Sequence, residues 1–435
     1  MLNILSRPMV RIVERYLPDP YIFVAILTLV VMAAAVIFEA QSPLAVIGMW
    51  GDGFWSLLQF AMQMLLVLVT GYMMASTPLV RRGLQALAGM AASPGAAILM
   101  VSYVSLVASW VNWGFGLVVG ALFAKEIARK VRVDYRLLVA SAYSGFLVWH
   151  GGLAGSVPLA IATAGHPFEA LMGVVPTSAT IFAPFNLVIV AALFVVVPLV
   201  NRMMMPRPGE EVFVDPKLLD EAPPPAATGT TPAERMENSR ILTWLIGLGG
   251  VAWLVQYFLS AGSLTLNVVN FLFLMAAILL HGTPRRLLAS LNEAMKGGAG
   301  IVIQFPFYAG IMAIMVSSGL AETISERLVA LATPATFPFW TFLSAGIVNF
   351  FVPSGGGQWA VQAPVILPAA EALGVDFARA AMAVAWGDAW TNMVQPFWAL
   401  PILGIAGLKA KDIMGFCVLH LVLSGIVISL GLVFV

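Results

Sequence analysis

The chain reads as a succession of apolar blocks joined by short polar connections, and the blocks match the roughly 20 residues a helix needs to cross a bilayer. Spans are predicted at 21–39, 54–76, 137–164, 178–203, 241–261, 266–281, 299–319, 378–407 and 412–434. Two further regions, 95–128 and 336–372, each hold two shorter apolar stretches around a Gly-rich, polar interruption: SWVNWGFG at 109–116 and NFFVPSGGGQW at 349–359. Arms of about 14 residues reach only about 21 Å, short of a hydrocarbon core roughly 30 Å thick. Each pair is therefore expected to form a re-entrant hairpin. Non-helical backbone at membrane depth must be satisfied by protein or by a water-lined cavity. Paired breaks in repeated halves are the best sequence pointer to a transporter's substrate site.

Composition agrees with a membrane-embedded chain. Of 435 residues, 60% are hydrophobic and 10% charged, against about 25% charged in soluble domains; the mean hydropathy is +0.95. A net charge of +1 without a basic patch gives no reason to expect nucleic acid as a partner. The one cysteine, Cys417, excludes an intramolecular disulfide. Arginines precede the first block, as in a signal peptide. However, the apolar run 21–38 exceeds an h-region of about 7–15 residues and further spans follow, so an uncleaved first span is the better reading.

Charge sets the orientation. With the N-terminus cytoplasmic and both hairpins re-entrant, every one of the 22 Lys and Arg residues except Arg327 and Arg379 falls inside, and the C-terminus lies outside. The inside set begins with Arg7, Arg11 and Arg15, continues through Arg81, Arg82 and the cluster Lys125, Arg129, Lys130, Arg132 and Arg136, and includes Arg285, Arg286, Lys409 and Lys411. A hairpin that crossed fully would invert every later loop and destroy the bias.

The fold class that follows is an all-α polytopic membrane protein built from two inverted repeats. Residues 1–205 form the first repeat, with hairpin 95–128 and a broken span 137–164 interrupted by WHGG at 149–152. Residues 206–240, which carry Pro223, Pro224 and Pro225, form a cytoplasmic linker, and 241–261 is a connecting span. Residues 262–435 form the second repeat, with hairpin 336–372 and a broken span 378–407 interrupted by GDAWTN at 387–392. Opposite orientation of the halves brings the hairpin tips together near the midplane.

The tips offer chemistry for a small anion. No Lys or Arg lies deep in an apolar block, so the donors are the backbone N–H groups after Gly114-Phe115-Gly116 and after Ser354-Gly355-Gly356-Gly357. Helix N-termini attract anions by about 0.3–1 kcal/mol or somewhat more when partly buried, and glycine admits a carboxylate close to the backbone. Asn112, Gln358, Thr391, Asn392 and Gln395 add side-chain donors, or oxygen ligands for a cation. Among the aromatics crowding the motifs (Trp110, Trp113, Phe115, Trp149, Trp359, Trp386, Trp390, Trp398), Trp113 and Trp359 are the favoured walls for an alkyl tail. The competing reading is that the glycines serve helix packing and the tryptophans the membrane interface.

Asp388 is the acidic group placed deepest, where a charge costs about 2.5–3.5 kcal/mol on insertion scales. It is a candidate for ion coupling, with His150 as its counterpart in the first half and Asn112 and Asn392 as neighbouring oxygens. A helix cap for Asp388, and a neutral hydrogen-bonded role for His150, are the alternatives. His281 and His420 lie away from the breaks and receive no function. No metal cluster or organic cofactor is indicated.

The segments SWVNWGFGLVVGA at 109–121 and VPSGGGQWAVQAP at 352–364 resemble the bacterial short-chain fatty acid transporter family, whose proposed substrates include acetoacetate and butyrate. That family is grouped with a superfamily of dicarboxylate, citrate and aminobenzoyl-glutamate carriers. The resemblance implies an elevator-type, dimeric carrier of the bacterial cytoplasmic (inner) membrane, with a mobile hairpin domain and a scaffold. Superfamily members with Ser-Asn-Thr tips use them for sodium and carboxylate. Here Asn112 and Ser354 occupy the tips and Ser-Asn-Thr is absent, which leaves the coupling cation as H+ or Na+. The leading reading is thus a symporter of short-chain monocarboxylates. A carrier of another organic anion with the same architecture is the alternative. A membrane-embedded enzyme is the weakest reading, because it needs a nucleophile–base pair or metal cluster at one depth.

Overall fold

Ser-Pro and Thr-Pro steps start many of the helices. Ser42, Thr77, Ser93 and Thr283 each accept a hydrogen bond from the backbone N–H three residues on, with proline at the next position. The side chain meets an orphan donor, while proline loses nothing there because its missing N–H would have had no partner. Glycines in the left-handed region, Gly282, Gly374 and Gly407, close helices at the other end.

The computed structural model describes residues 20–207, 209–215, 219, 231–260, 262–349, 352, 354–395 and 398–435. Arg7, Arg11 and Arg15, the linker residues Pro223, Pro224 and Pro225, and the motif residues Phe350, Phe351 and Pro353 lie outside the described residues. The described part is all-α. In order come α1 (Pro20–Phe38), α2 (Pro43–Gly53), α3 (Leu58–Ala75), α4 (Pro78–Ala88), α5 (Pro94–Val111), α6 (Trp113–Ala128) and α7 (Tyr135–Ser144). A 3-10 segment, Gly145–Gly151, leads to α8 (Ser156–Ile161), then α9 (Glu169–Met172) and α10 (Pro184–Met203). After the linker follow α11 (Pro232–Glu237), α12 (Arg240–Leu259), α13 (Leu266–His281), α14 (Pro284–Ser318) and α15 (Leu320–Leu331). The chain closes with α16 (Phe337–Asn349), α17 (Gly355–Leu373), α18 (Phe377–Thr391), α19 (Ala399–Ala406) and α20 (Ala410–Phe434).

Among the described residues, 7 helices are long and apolar enough to cross a membrane, and Val24–Phe38 and Leu266–His281 are shorter apolar helices. The apolar surface is where lipid would be: Leu29, Ile37, Ile241 and Leu245 are all exposed.

Two expectations need correction. The hairpin arms are not about 14 residues each. They measure 18 residues in α5, 16 in α6, 13 in α16 and 19 in α17, and α5 is itself long and apolar enough to span. Arm length therefore does not argue for re-entry. Nor does the chain break at 387–392: α18 runs on through Thr391, and the described residues 392–395 beyond it are non-helical. Gly387 serves packing instead, since a side chain there would strike the carbonyl of Phe342 in α16. Sequence inspection also missed α2, α4 and α15, which are too short or too polar to register as spans.

The helices gather into two sets. In one, α14 packs along α1, α2 and α3, and α12 lies on α13. In the other, α5 packs on α6 and α7, α10 on α20, and α16 and α17 on α18. The sets meet where α3 faces α6 and where α14 and α15 face α17. Within the second set the α5–α6 pair is antiparallel: Gly116 sits against Ser109 and Gly120 against Ser105, with no room for a Cβ at either glycine.

Most described basic residues collect at one end. Lys130 donates to Gln85 O at 2.7 Å, Arg136 to Asp134 at 3.0 Å, and Arg132 covers the Phe213 ring at 4.3 Å. Tyr135 OH donates to Ala406 O at 2.9 Å, which brings the α19 terminus to the same end. Arg379 is at the other end, donating to Leu432 O at 2.6 Å.

Gly387→Ala should destabilise the protein by about 1–3 kcal/mol, because the helix contact cannot open without strain. Gly404→Ala, with nothing within 4 Å of the new methyl, should not. Thermal unfolding in detergent followed by size-exclusion chromatography compares them, and equal melting would refute the close α16–α18 approach.

Candidate functional site

Both hairpin tips are built alike. Helix α5 ends at Val111, and Asn112 is extended (φ −158, ψ 127) and caps α6, its Oδ1 accepting from Phe115 N at 2.9 Å. Ser354 is extended too (φ −157, ψ 111) and caps α17, its Oγ accepting from Gly357 N at 3.4 Å. The caps leave the first N–H groups of each helix facing the tip.

Each tip is seated by close backbone approach. Gly71 of α3 lies against Asn112, and a Cβ on Gly114 would stand 2.9 Å from Leu68 O. At the second tip the three glycines meet three different neighbours: Gly355 meets the His150 ring, Gly356 meets Phe60 of α3, and Gly357 meets Tyr308 of α14. The 3-10 segment between the tips is tied to the first of them. Trp110 donates to Gly151 O at 3.2 Å, and Leu153 N donates to Trp110 O at 2.7 Å.

His150, at the end of that segment, and Asp388, in α18, are both fully buried, with Nε2 and Oδ2 3.1 Å apart. The approach is off-line: neither ring nitrogen makes a well-aligned hydrogen bond to a described residue. Asn349, the last residue of α16, holds the neighbourhood together. Its Nδ2 lies 3.0 Å from Asp388 O, 3.0 Å from Thr391 Oγ1 and 2.9 Å from Asn392 Oδ1. Asn392 Nδ2 in turn stands 3.5 Å from Asp388 Oδ2, and Tyr143 OH donates to Asn392 O. A charge buried this deeply must be paired or neutralised by a proton, and the His150 ring is the titratable group nearest to hand.

Polar atoms left over at the site divide by type. Asn112 Nδ2, Trp113 Nε1 and Trp149 Nε1 are buried donors without a hydrogen-bond partner among the described residues. Asn349 Oδ1, Gln358 Oε1, Asp388 Oδ1 and Gln395 Oε1 are acceptors in the same condition. The first group suits an anion, and the second offers the oxygens a hard cation or a proton needs.

Aromatic rings fill the space between the tips. Trp113 meets Trp149 edge-on at 5.7 Å and Trp398 at 5.1 Å, while Trp149 stacks on Phe146 at 5.4 Å. Beside them opens a cavity of about 720 Å³ between α3, α6, α14 and α19, walled largely by apolar groups such as Leu68, Gly114, Leu117 and Trp398. Glu293 and Lys296, paired at 2.7 Å, also line it.

Several sequence candidates go elsewhere. Gly116 packs inside the first hairpin against Ser109. Trp359 points away from the cavity, its ring 5.7 Å from Phe168. Gln358 Nε2 is committed to Ala345 O and Gln362 Oε1, both at 2.7 Å. Thr391 Oγ1 donates to Gly387 O at 3.2 Å and meets Asn349. Trp386 and Trp390 are anchored by hydrogen bonds to Asn186 and to Leu421 O. His420 pairs with Asn201 at 2.7 Å, and His281 with Met73 O at 2.8 Å, each apart from the tips. Asn349, Tyr143, Gln304 and Tyr308 escaped the sequence reading. Asn349 was visible as the opening residue of the second motif, whereas nothing in the sequence marks the other three.

The family description "Short chain fatty acid transporter" matches residues 1–435. A protein of Escherichia coli K12, provisionally named a short-chain fatty acid transporter, is 48% identical over 99% of both chains. One of Haemophilus influenzae Rd with the same provisional name is 44% identical over 100% of both. In fold the chain is similar to the crystal structure of the Alcanivorax borkumensis YdaH transporter, with a TM-score of 0.59 over 95% of this chain and 97% of that one, at 17% identity.

The first tip makes a separable prediction. Asn112→Ala removes the acceptor of Phe115 N–H and should lower stability by about 0.5–2 kcal/mol, whereas Asn112→Asp, which keeps the acceptor, should restore it. Thermal unfolding reads this directly, and an Asn112→Ala variant as stable as the unaltered chain would show that the cap is not formed.

Proposed function

The chain belongs to the short chain fatty acid transporter family, and on that premise we propose that it is a secondary active carrier of short-chain monocarboxylates such as butyrate or acetoacetate, coupled to H+ or Na+. The observation that carries the proposal is the buried His150–Asp388 pair, seated between two capped hairpin tips and separated by the Trp149, Trp113 and Trp398 rings from an apolar cavity. A short carboxylate needs one cluster of donors for its head and apolar walls for its tail. Asn112, Trp113 and Trp149 supply the first, together with the N–H groups of the tips; Gly114, Leu117 and Trp398 supply the second.

Coupling falls to Asp388, His150, Asn349 and Asn392. A cation arriving at Asp388, whether a proton or sodium, neutralises a charge that is otherwise held only by His150. Because Gly355 rests on the His150 ring, occupancy of this pair and the position of the second tip are mechanically linked. An empty, unneutralised pair disfavours movement through the bilayer, which is the differential interaction that coupling requires.

The two helix sets support an elevator motion, with α5–α10 and α16–α20 moving as a body past α1–α3 and α12–α15. Their interface is partly made of glycines at the tips, which lets the surfaces slide with few interlocked side chains. In this reading the halves are inverted repeats and the carrier is a homodimer. It sits in the bacterial inner membrane with its Lys- and Arg-rich end cytoplasmic, so that the N-terminus is inside and the C-terminus outside.

Purified protein in proteoliposomes should accumulate radiolabelled butyrate or acetoacetate when a sodium gradient or a pH gradient is imposed separately. Accumulation under one gradient names the cation. Folded protein that accumulates neither acid under either gradient would overturn the proposal.

A further inference from the structure

Gln304, from α14, lines the cavity although it is only 4% exposed. Its Oε1 accepts a hydrogen bond from Tyr308 OH at 3.1 Å, and Tyr308 is itself fully buried beneath Gly357 of the second tip. With Oε1 so engaged, Nε2 is the free end of the amide and makes no hydrogen bond to a described residue. The other polar side chains on the wall are engaged: Glu293 and Lys296 with each other, Tyr21 and Tyr72 with other groups. Gly114 and Trp398 line the same cavity, the latter packed on Trp113 of the first tip.

We propose that Gln304 is a specificity-determining residue, whose Nε2–H donates to a second oxygen on the substrate chain, a keto or hydroxyl group, and so ranks oxygenated short-chain monocarboxylates above unsubstituted ones. This rests on the monocarboxylate reading given above, with the carboxylate at the first tip. An apolar chain leaves the amide donor without a partner in a largely apolar wall, whereas an oxygen on the chain satisfies it. A site built to hydrogen-bond a substrate group discriminates against the analogue that lacks it. Tyr308 is the positioning residue, holding the amide by its carbonyl and tying it to the second tip.

The test compares butyrate, 3-hydroxybutyrate and acetoacetate as competitors of labelled butyrate uptake in proteoliposomes. The unaltered protein should show half-inhibitory concentrations about 3–10-fold lower for the two oxygenated acids. In Gln304→Met, which keeps the shape and removes the amide, that ratio should fall to about one. Tyr308→Phe should reduce it partway, and serves as the second variant if Gln304→Met does not fold. No preference in the unaltered protein, or a parallel loss for all three acids with the ratio intact in Gln304→Met, would overturn the role of Gln304 alone. Folded protein with no saturable uptake of any of the three acids would instead overturn the monocarboxylate reading, and this inference with it.

Discussion

A carboxyl group buried in the membrane-embedded core, with an imidazole against it, is the constraint to which the rest of this structure answers. Asp388 and His150 come from different halves of the chain and approach to 3.1 Å with no exposure to solvent. Placing one such charge at membrane depth costs about 2.5–3.5 kcal/mol on insertion scales, and removing one partner of a buried pair costs about 3–5 kcal/mol. The surroundings reflect that cost. Asn349 brings α16 onto the end of α18, Tyr143 secures Asn392, and Trp149 lies against the imidazole with ring centroids 3.6 Å apart.

The hairpin tips gain their meaning from that centre. Each is a capped helix start resting on glycine contacts, the first on α3 and the second on α3, α14 and the His150 ring. Glycine at these points brings backbone to within contact of its neighbour, and at the second tip that neighbour is the His150 ring itself. Donors are left over at the first tip and acceptors near Asp388.

Much of this was legible in the sequence, for identifiable reasons. The tips at Asn112 and Ser354 were marked by glycines and polar residues where an apolar helix should have continued, and α13, α12 and α20 fall close to the blocks that hydropathy predicts. Asp388 and His150 stood out singly because ionisable groups are rare at such depth. Their contact was not legible, since no local pattern records which helix end packs on which. Length was misjudged in the hairpin arms, because apolar composition does not report where a cap falls. The misplaced break in the second half has a different cause. Gly387 looked like a helix breaker, but its missing Cβ answers to Phe342 O across a helix contact, and α18 tolerates a single glycine. Trp359 shares a motif with the tip yet turns toward Phe168, which shows that proximity in sequence does not place a side chain in a site.

The central claim is that the Asp388–His150 pair couples cation and substrate, and comparison of Asp388→Asn with the unaltered protein in proteoliposomes tests it most directly. Two readouts are taken on the same vesicles: accumulation driven by an ion gradient, and exchange of labelled for unlabelled substrate without a gradient. If the pair is the coupling centre, accumulation in the variant should fall to background and lose its dependence on the ion, while the protein remains folded and exchange persists to a measurable extent. Ion-driven accumulation in Asp388→Asn equal to that of the unaltered protein would contradict the account.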